Sequence, residues 1–289
     1  MHPAPSVIIF SVFSGMGFGL LAFLGAGVVT PSGWAAFLWW GLGYGLAVVG
    51  LLASTFHLGN PQRALLAFTQ WRSSWLSREA WASVATLLLL APVALSDWLA
   101  LGWPRGIGFI GAVLALGTVF TTSMIYTQIK AVPRWHHPVT PLMFMVFSLT
   151  GGAILAGQHL LAAVLCVALG AVLLAVYRIG DGQFARAGQT MGTATGLDRI
   201  GEVAVFEQAH TAGNYLLREM IYVVGRKHAT KLRRIAFALA VVLPALLLLG
   251  HGLPFVVLAA ISHLTGALAA RWLFFAEAEH VVGLYYGKR

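Results

Sequence analysis

Charged side chains are scarce in this sequence: Lys, Arg, Asp and Glu make up 9% of its 289 residues, whereas hydrophobic residues make up 59%. Soluble globular domains carry about 25% charged residues. With so few polar groups the chain cannot cover the surface of a water-soluble protein of this size, so most of it must lie in lipid. The composition therefore excludes a disordered protein, a secreted disulfide scaffold and an ordinary soluble enzyme.

Cysteine is nearly absent too, because Cys166 is the only one. One thiol cannot make an internal disulfide, a zinc site of the cysteine type or an iron–sulfur cluster, and in an apolar run it is typical of a packed core residue. Residues 1–5, which precede the first apolar run, contain no Lys or Arg. A cleavable signal peptide needs a positive region there, so we expect this first run to be retained as a membrane helix.

Long apolar runs dominate what is present. A helix needs about 20 such residues to cross about 30 Å of hydrocarbon, whereas a membrane barrel shows short alternating segments. The sequence therefore predicts an all-α integral membrane protein with eight transmembrane helices, forming a single membrane domain over residues 1–289. The predicted spans are residues 6–29, 36–57, 79–100, 106–128, 139–157, 159–178, 233–251 and 254–275, with a long loop over 179–232.

The charges are distributed very unevenly across the membrane. We call side A the side that carries both termini and the loops 58–78, 129–138 and 179–232, and side B the opposite side. Of the 18 Lys and Arg residues, only Arg105 falls on side B, and of the nine acidic residues only Asp97 does. Lys and Arg stay in the cytoplasm during insertion. The sequence thus predicts that both termini are cytoplasmic in a bacterial inner membrane, and that the net charge of +9 reflects insertion rather than binding of nucleic acid.

Small residues recur at four-residue spacing inside the first two spans. They are Ser11, Gly15 and Gly19 in the first and Gly41 and Gly45 in the second. Small residues at this spacing let helix backbones approach closely, so we expect these positions to lie at helix contacts.

The richest group of polar residues lies at the A end of spans two and three. His57 ends one span, and Ser77 is a plausible N-cap for the next, with Glu79 in its first turn. A histidine and a glutamate at headgroup depth suit a quinone, because its carbonyl groups need hydrogen-bond donors and its two-electron chemistry needs two protons. Ordinary interfacial anchoring and helix capping explain the same residues equally well on composition alone.

Other functional classes predict features that are weak or missing here. Transporters usually keep ionisable groups at mid-depth, and no charged residue lies near the middle of a predicted span. A haem b cytochrome needs two facing histidines at similar depth, but among ten histidines only His263 falls near a span centre. We expect His263 to be a hydrogen-bonded core residue, and we expect neither haem nor an iron–sulfur cluster in this chain.

The ordered motifs resemble the dimethyl-sulfoxide-reductase anchor subunit family (DmsC-like), and the resemblance spans nearly the whole chain. The segments that carry it are His2-Pro3-Ala4, His57-Leu58-Gly59, Pro61, Arg63-Ala64, Ser77-Arg78-Glu79, Met124-Ile125-Tyr126, Val132-Pro133, Trp135 and Arg271-Trp272-Leu273-Phe274-Phe275-Ala276-Glu277.

This resemblance implies an eight-helix membrane subunit without cofactors of its own, on which a molybdopterin catalytic subunit and a four-cluster iron–sulfur subunit dock. It implies electron exchange with membrane quinone, ubiquinone or menaquinone, as an exchangeable substrate. In the family, the histidine of the His-Leu-Gly segment and the glutamate that begins span three bind quinol, which by motif match are His57 and Glu79. Arg63, Arg78 and Trp75 are added as quinone-site neighbours by position.

Orientation separates the branches of the family. In dimethyl sulfoxide reductase the catalytic pair is exported, whereas the candidate site and the long loops here lie on the side predicted to be cytoplasmic. That arrangement resembles the anchors of quinone-linked sulfite-oxidising complexes (SoeC-like), as does the segment from His210 to Glu219. The resemblance implies that soluble partners oxidise sulfite and that this chain passes the electrons to quinone. The alternatives are an anchor that uses quinol as donor, a haem b cytochrome, a solute transporter and a purely structural tether.

Overall fold

The structure is a computed structural model that describes residues 1–57, 60–207, 214–221 and 227–287, with the main chain alone at residues 57 and 61. Every regular element within these ranges is helical, as the sequence predicted. The α-helices are α1 Pro5–Gly25, α2 Gly33–Ala53, α3 Trp75–Trp98, α4 Gly106–Thr127, α5 Val139–Leu155, α6 His159–Arg186, α7 Met191–Thr195, α8 Tyr215–Glu219, α9 Ala229–Phe237, α10 Leu243–Leu247 and α11 Leu253–Ala276. Short 3₁₀ helices cover Ser54–His57, Pro61–Phe68 and Val281–Tyr286, and a π-helix covers Ala238–Val242.

Six of the described helices are long and apolar enough to cross a membrane, and Val139–Leu155 is a shorter apolar helix. The six are Pro5–Gly25, Gly33–Phe56, Trp75–Trp98, Gly106–Thr127, His159–Arg186 and Leu253–Ala276. Large apolar side chains face outward from them, such as Leu38, Leu88 and Val167 at 70%, 69% and 70% exposure. An apolar outer surface of this kind is what lipid contact requires.

The long loop begins later than predicted, because α6 continues two turns beyond residue 178 to Arg186. The continuation passes through Gly180, Asp181 and Gly182, residues that disfavour helix. Asp181 forms ion pairs with Arg134 and with Arg233, which anchor this extension of the helix to neighbouring segments. A contact between distant segments therefore overrides the local sequence signal.

The helix α1 lies at the centre of the bundle and is buried over most of its length. Its small residues allow this position, because the backbone of Gly19 lies directly against Ser148 and Gly152 of α5. On α2 the contact residues are Gly43, Ala47 and Gly50, which are buried.

Gly15 of α1 lies at a helix contact as predicted, because its carbonyl oxygen accepts from Ser148 Oγ of α5 at 2.6 Å. The two predicted packing glycines on α2 do not, since around Gly41 and Gly45 there is open space where a side chain would begin. The prediction for these positions was wrong, because four-residue spacing identifies a stripe of small residues but does not say which stripe faces a neighbour.

The predicted seventh span, residues 233–251, is instead a continuous helical run over residues 229–247 with a π-helical turn in the middle. Pro244 explains the irregularity, since it has no N–H to donate to the carbonyl of Ala240 in α register or of Leu239 in π register. Side chains of α11 supply the missing donors: Ser262 Oγ bonds to the Leu239 oxygen at 2.8 Å and His263 Nδ1 to the Ala240 oxygen at 2.9 Å. His263 is thus a hydrogen-bonded core residue, as expected.

The end of the bundle that corresponds to side A gathers several chain segments. His2 N bonds to the Glu219 oxygen at 2.7 Å, and Val281 N bonds to the Ala131 oxygen at 2.9 Å. At the opposite end, Arg105 forms an ion pair with Asp97 at 2.7 Å. The two charges that the sequence assigns to side B therefore neutralise each other.

Candidate functional site

The candidate site is built around the start of α3 and the 3₁₀ helix Pro61–Phe68 that precedes it. The helix α3 begins at Trp75 with Ser74 as its N-cap residue, so the prediction of Ser77 as N-cap was wrong. Ser77 is the third residue of the helix, in its first turn, where its hydroxyl donates to the Ala67 oxygen and accepts from Gln70 N. It thereby fastens the preceding segment to α3.

Trp81 reinforces this attachment. Its Nε1 donates to the Phe68 oxygen at 3.0 Å, and its ring meets the ring of Phe68 edge to face. Leu65 and Leu66, on the same 3₁₀ helix, are exposed. Exposed leucines on a segment held against the end of a membrane helix suit the interface between lipid and water.

Arg78 and Trp75 contact each other at the start of α3. The Arg78 guanidinium lies 4.2 Å from the centre of the Trp75 ring, in cation–π geometry. The same side chain donates to the Trp71 oxygen at 3.0 Å and to the Arg72 oxygen at 2.7 Å. Arg78 is therefore directed at the loop before α3 rather than at the bundle interior.

Glu79 faces the other way, into the bundle, and is only 4% exposed. Thr122 on α4 donates to its Oε1 at 2.5 Å. A buried carboxyl group near the A end of a membrane helix is a group that can accept, hold and release a proton while staying out of bulk water. Of the four predicted site residues whose side chains the structure describes, Glu79 has the environment best suited to proton transfer.

Of the remaining two predicted residues, only Arg63 has a side chain that the structure describes. Arg63 is exposed on the 3₁₀ helix Pro61–Phe68, and no side-chain hydrogen bond or ion pair of Arg63 occurs among the described residues. The main chain of His57 ends the 3₁₀ helix Ser54–His57, while its side chain lies outside the described residues.

Sequence reasoning missed Thr122, the hydrogen-bond partner of Glu79. The signal available was the cluster of hydroxyl residues in one apolar span, Thr118, Thr121, Thr122 and Ser123. Nothing in the sequence says which of them meets Glu79, because the contact joins α3 to α4.

Sequence reasoning also missed a network of four charges near the A end of the bundle. Arg134 bonds to Glu277 at 2.7 Å and to Asp181 at 3.1 Å, and Arg233 bonds to Glu277 at 2.6 Å and to Asp181 at 2.7 Å. The Glu277 side chain is 5% exposed, so its charge depends on these two partners. The network ties the loop after α4 to α6, α9 and the end of α11.

A second unpredicted feature is a cavity of about 20 Å³ between α1, α4, α5 and α11. Thr122, Ser148, His263 and Arg271 are among its lining residues. One water molecule needs about 10–15 Å³ of cavity volume, so this cavity is far too small for a quinone ring. Among the described residues, no group of three or more His, Cys, Asp or Glu side chains could hold a metal ion.

Comparison with known proteins gives a consistent result. Residues 1–276 match the family described as "DMSO reductase anchor subunit (DmsC)". The chain is 29% identical to the C subunit of the sulfite dehydrogenase of Allochromatium vinosum, over 99% of each chain. It is 33% identical to "Anaerobic dimethyl sulfoxide reductase chain YnfH" of Escherichia coli, over 48% of this chain and 54% of that one. No solved structure matches this chain.

Proposed function

Because the chain belongs to the DMSO reductase anchor subunit (DmsC) family, as its motifs predicted, we propose that it is the quinone-reactive membrane anchor of a three-subunit molybdopterin oxidoreductase. A partner iron–sulfur subunit and a partner molybdopterin subunit dock on side A. The chain passes electrons between the iron–sulfur subunit and membrane quinone, and it spans the bacterial inner membrane eight times, with the helical run 229–247 and the short helix α5 as two of the spans.

The observation that carries this proposal is the placement of Glu79. Its carboxyl group is buried near the A end of α3 and bonded to Thr122, next to a lipid-facing segment that Ser77 and Trp81 fasten to the helix. A quinone that enters from lipid meets Trp75 and Arg78 on the outer face of this helix start. In this proposal the head group then passes between α2 and α3 to the inner face, where Glu79 can give a proton to the reduced quinone or take one from the quinol.

We propose that the partner subunits oxidise sulfite and that electrons flow from them to quinone. The similarity to a membrane component of a sulfite dehydrogenase extends over 99% of both chains, and the charge distribution favours a cytoplasmic side A. The second candidate is an anchor that takes electrons from quinol for an anaerobic dimethyl sulfoxide reductase. Two relatives are named as chains of such a reductase, and each matches this chain over part of its length.

The test compares two electron acceptors in the complete complex. We expect Glu79→Gln and His57→Ala to lower quinone-coupled turnover by about 10²-fold or more, because each removes a proton-transfer group. Turnover with a soluble dye should be unchanged, because it bypasses this chain.

Glu202→Gln and His228→Ala are matched controls, since both residues are exposed in the A-side loop, and both variants should behave like the unmodified complex. If quinone coupling survives Glu79→Gln and His57→Ala, the proposed site is wrong.

A further inference from the structure

Arg271 is an unusual residue for the interior of a membrane bundle. It is 5% exposed, and its Nε and Nη1 have no hydrogen-bond partner among the described residues. Its guanidinium lies 3.6 Å from the centre of the Phe144 ring, which offers cation–π attraction but no acceptor. Buried Nε and Nη1 groups without acceptors are destabilising, so a ligand that accepts hydrogen bonds from them would stabilise this site.

His263 leaves a second buried polar atom at the same cavity. Its Nδ1 lies 2.9 Å from the Ala240 oxygen, and because a carbonyl oxygen only accepts, Nδ1 must carry the proton. In the neutral ring Nε2 is then an acceptor, and it has no partner among the described residues. A doubly protonated ring would put a second cation beside Arg271 without a counter-charge.

The Arg271 side chain extends along α11 in the direction of His263. Arg271 lies two turns after His263, about 12 Å along the helix axis. Long side chains on a helix point toward its N-terminus, so the guanidinium extends toward the imidazole. Both side chains line the cavity of about 20 Å³, which has room for one water molecule or two in close contact.

The cavity offers hydrogen-bond donors from Arg271 and an acceptor from His263, and only one class of ligand fits both. An anion would accept from Arg271 but would face the lone pair of His263 Nε2, and a cation would be repelled by Arg271. Water both accepts and donates. The hydroxyl oxygen of Thr122 lines the same cavity, and that hydroxyl is the group bonded to Glu79.

We propose that this cavity binds an internal water molecule, which accepts a hydrogen bond from Arg271, donates one to His263 Nε2 and exchanges protons with Glu79 through the Thr122 hydroxyl. The second half of this inference rests on the proposed function, because it makes the water the inner proton source of the quinone site. Arg271 is then a positioning residue, and it acts on Glu79 through the water.

The proton exchange balances for quinone reduction. Two electrons from the partner subunit and two protons convert the quinone to the quinol, and in the proposed site Glu79 supplies one of those protons and His57 the other. Glu79 Oε1 then takes the hydroxyl proton of Thr122, whose oxygen takes a proton from the water, while the water takes a proton from solvent in the same relay. The carboxyl group, the hydroxyl group and the water all end as they began, and no hydroxide is left.

Hydroxyl-radical labelling of the complete complex tests the water site, because radicals formed from a bound internal water oxidise its neighbours. Phe147 lines the cavity and is 7% exposed, whereas Phe10 is 5% exposed and is not among the residues that line it. We expect Phe147 to be oxidised at least several times faster than Phe10. Equal rates would overturn the proposal.

Gly151→Ala gives a variant that fills the site. A methyl group there would lie 2.8 Å from Met16 Cγ, which must shift, and 3.3 Å from His263 Nε2, whereas a methyl at Gly117 meets nothing within 4 Å. Gly151→Ala should reduce the labelling of Phe147 to the rate of Phe10, while Gly117→Ala should leave it unchanged. Labelling of Phe147 that survives Gly151→Ala would contradict a water at this position.

The proton exchange is tested with Thr122→Val, which keeps the shape of the side chain but removes the hydroxyl. Quinone-coupled turnover should fall by about 10²-fold, the lower end of the contribution of a positioned proton-transfer group, while dye-coupled turnover stays the same. Thr121→Val is the matched control, because among the described residues that hydroxyl bonds only to the Thr118 oxygen, at 2.8 Å.

The water site, the proton exchange and the quinone site can each be disproved separately. If Thr122→Val keeps full quinone coupling, the proton exchange is wrong even where Phe147 is labelled. If Glu79→Gln keeps full quinone coupling, the proposed quinone site is wrong, whereas the labelling of Phe147 still decides whether the cavity holds water.

Discussion

At the scale of single residues, the sequence indicated which side chains carry chemistry but not which residues they bond to. Glu79 was predicted from its place at the start of a span, but its donor Thr122 lies on the next helix. Glu277 was noted only as the last residue of a motif, yet its carboxylate bonds to Arg134 and Arg233. Such pairings depend on how helices pack, and no local pattern encodes them.

Glu277 should be important for stability rather than for electron transfer. Replacing it by Gln leaves Arg134 and Arg233 with Asp181 as their remaining carboxylate partner in the network. Breaking a buried ion pair by removing one partner costs about 3–5 kcal/mol. We expect Glu277→Gln to lower the thermal unfolding midpoint of the detergent-solubilised chain by several degrees, with Glu202→Gln as an unaffected control.

A normal unfolding midpoint for Glu277→Gln would mean that this network does not hold the A end of the bundle together. The ratio of quinone-coupled to dye-coupled turnover should stay the same in the fraction of the complex that remains assembled.

At the scale of elements, hydropathy located the helices well because it sums over about 20 residues, so that errors at single positions cancel. Hydropathy did not predict the helix geometry where a single residue determines it. Pro244 interrupts the run 229–247 by removing one donor, and the consequence is a π-helical turn whose carbonyls bond to Ser262 and His263. The face of α2 that packs on α1 was likewise misassigned, because Gly41 and Gly45 are exposed while Gly43 and Gly50 are buried.

This explanation of the π-helical turn predicts coupling between Pro244 and His263. His263→Phe should destabilise the chain by about 1–3 kcal/mol, because the Ala240 carbonyl loses its donor. Pro244→Ala restores an N–H that can bond to the same carbonyl, so the double variant should be more stable than His263→Phe alone.

The measurement is a double-mutant cycle on the free energy of unfolding in detergent. Strictly additive effects would show that the proline and the histidine do not share the Ala240 carbonyl.

At the scale of the whole molecule, the charge distribution predicts the orientation, and the proposed sulfite oxidation in the cytoplasm depends on it. Side A carries all the Lys and Arg residues except Arg105, and Arg105 is neutralised by Asp97. This asymmetry was readable from the sequence because insertion acts on the charges of each loop in turn. The internal cavity could not be predicted in the same way, since it is formed by residues from four helices.

The central claim is that side A, which carries the quinone site and the docking surface, faces the cytoplasm. It is tested most directly by labelling whole cells with a membrane-impermeant maleimide. Cys166 is buried and provides a low background. Ser32 and Ser73 are both exposed, at the B and A ends respectively, so Ser32→Cys and Ser73→Cys form a matched pair.

We expect the maleimide to label Ser32→Cys in intact cells and to label Ser73→Cys only after the inner membrane is permeabilised. Labelling of Ser73→Cys but not of Ser32→Cys in intact cells would place side A outside the cytoplasm and contradict the account.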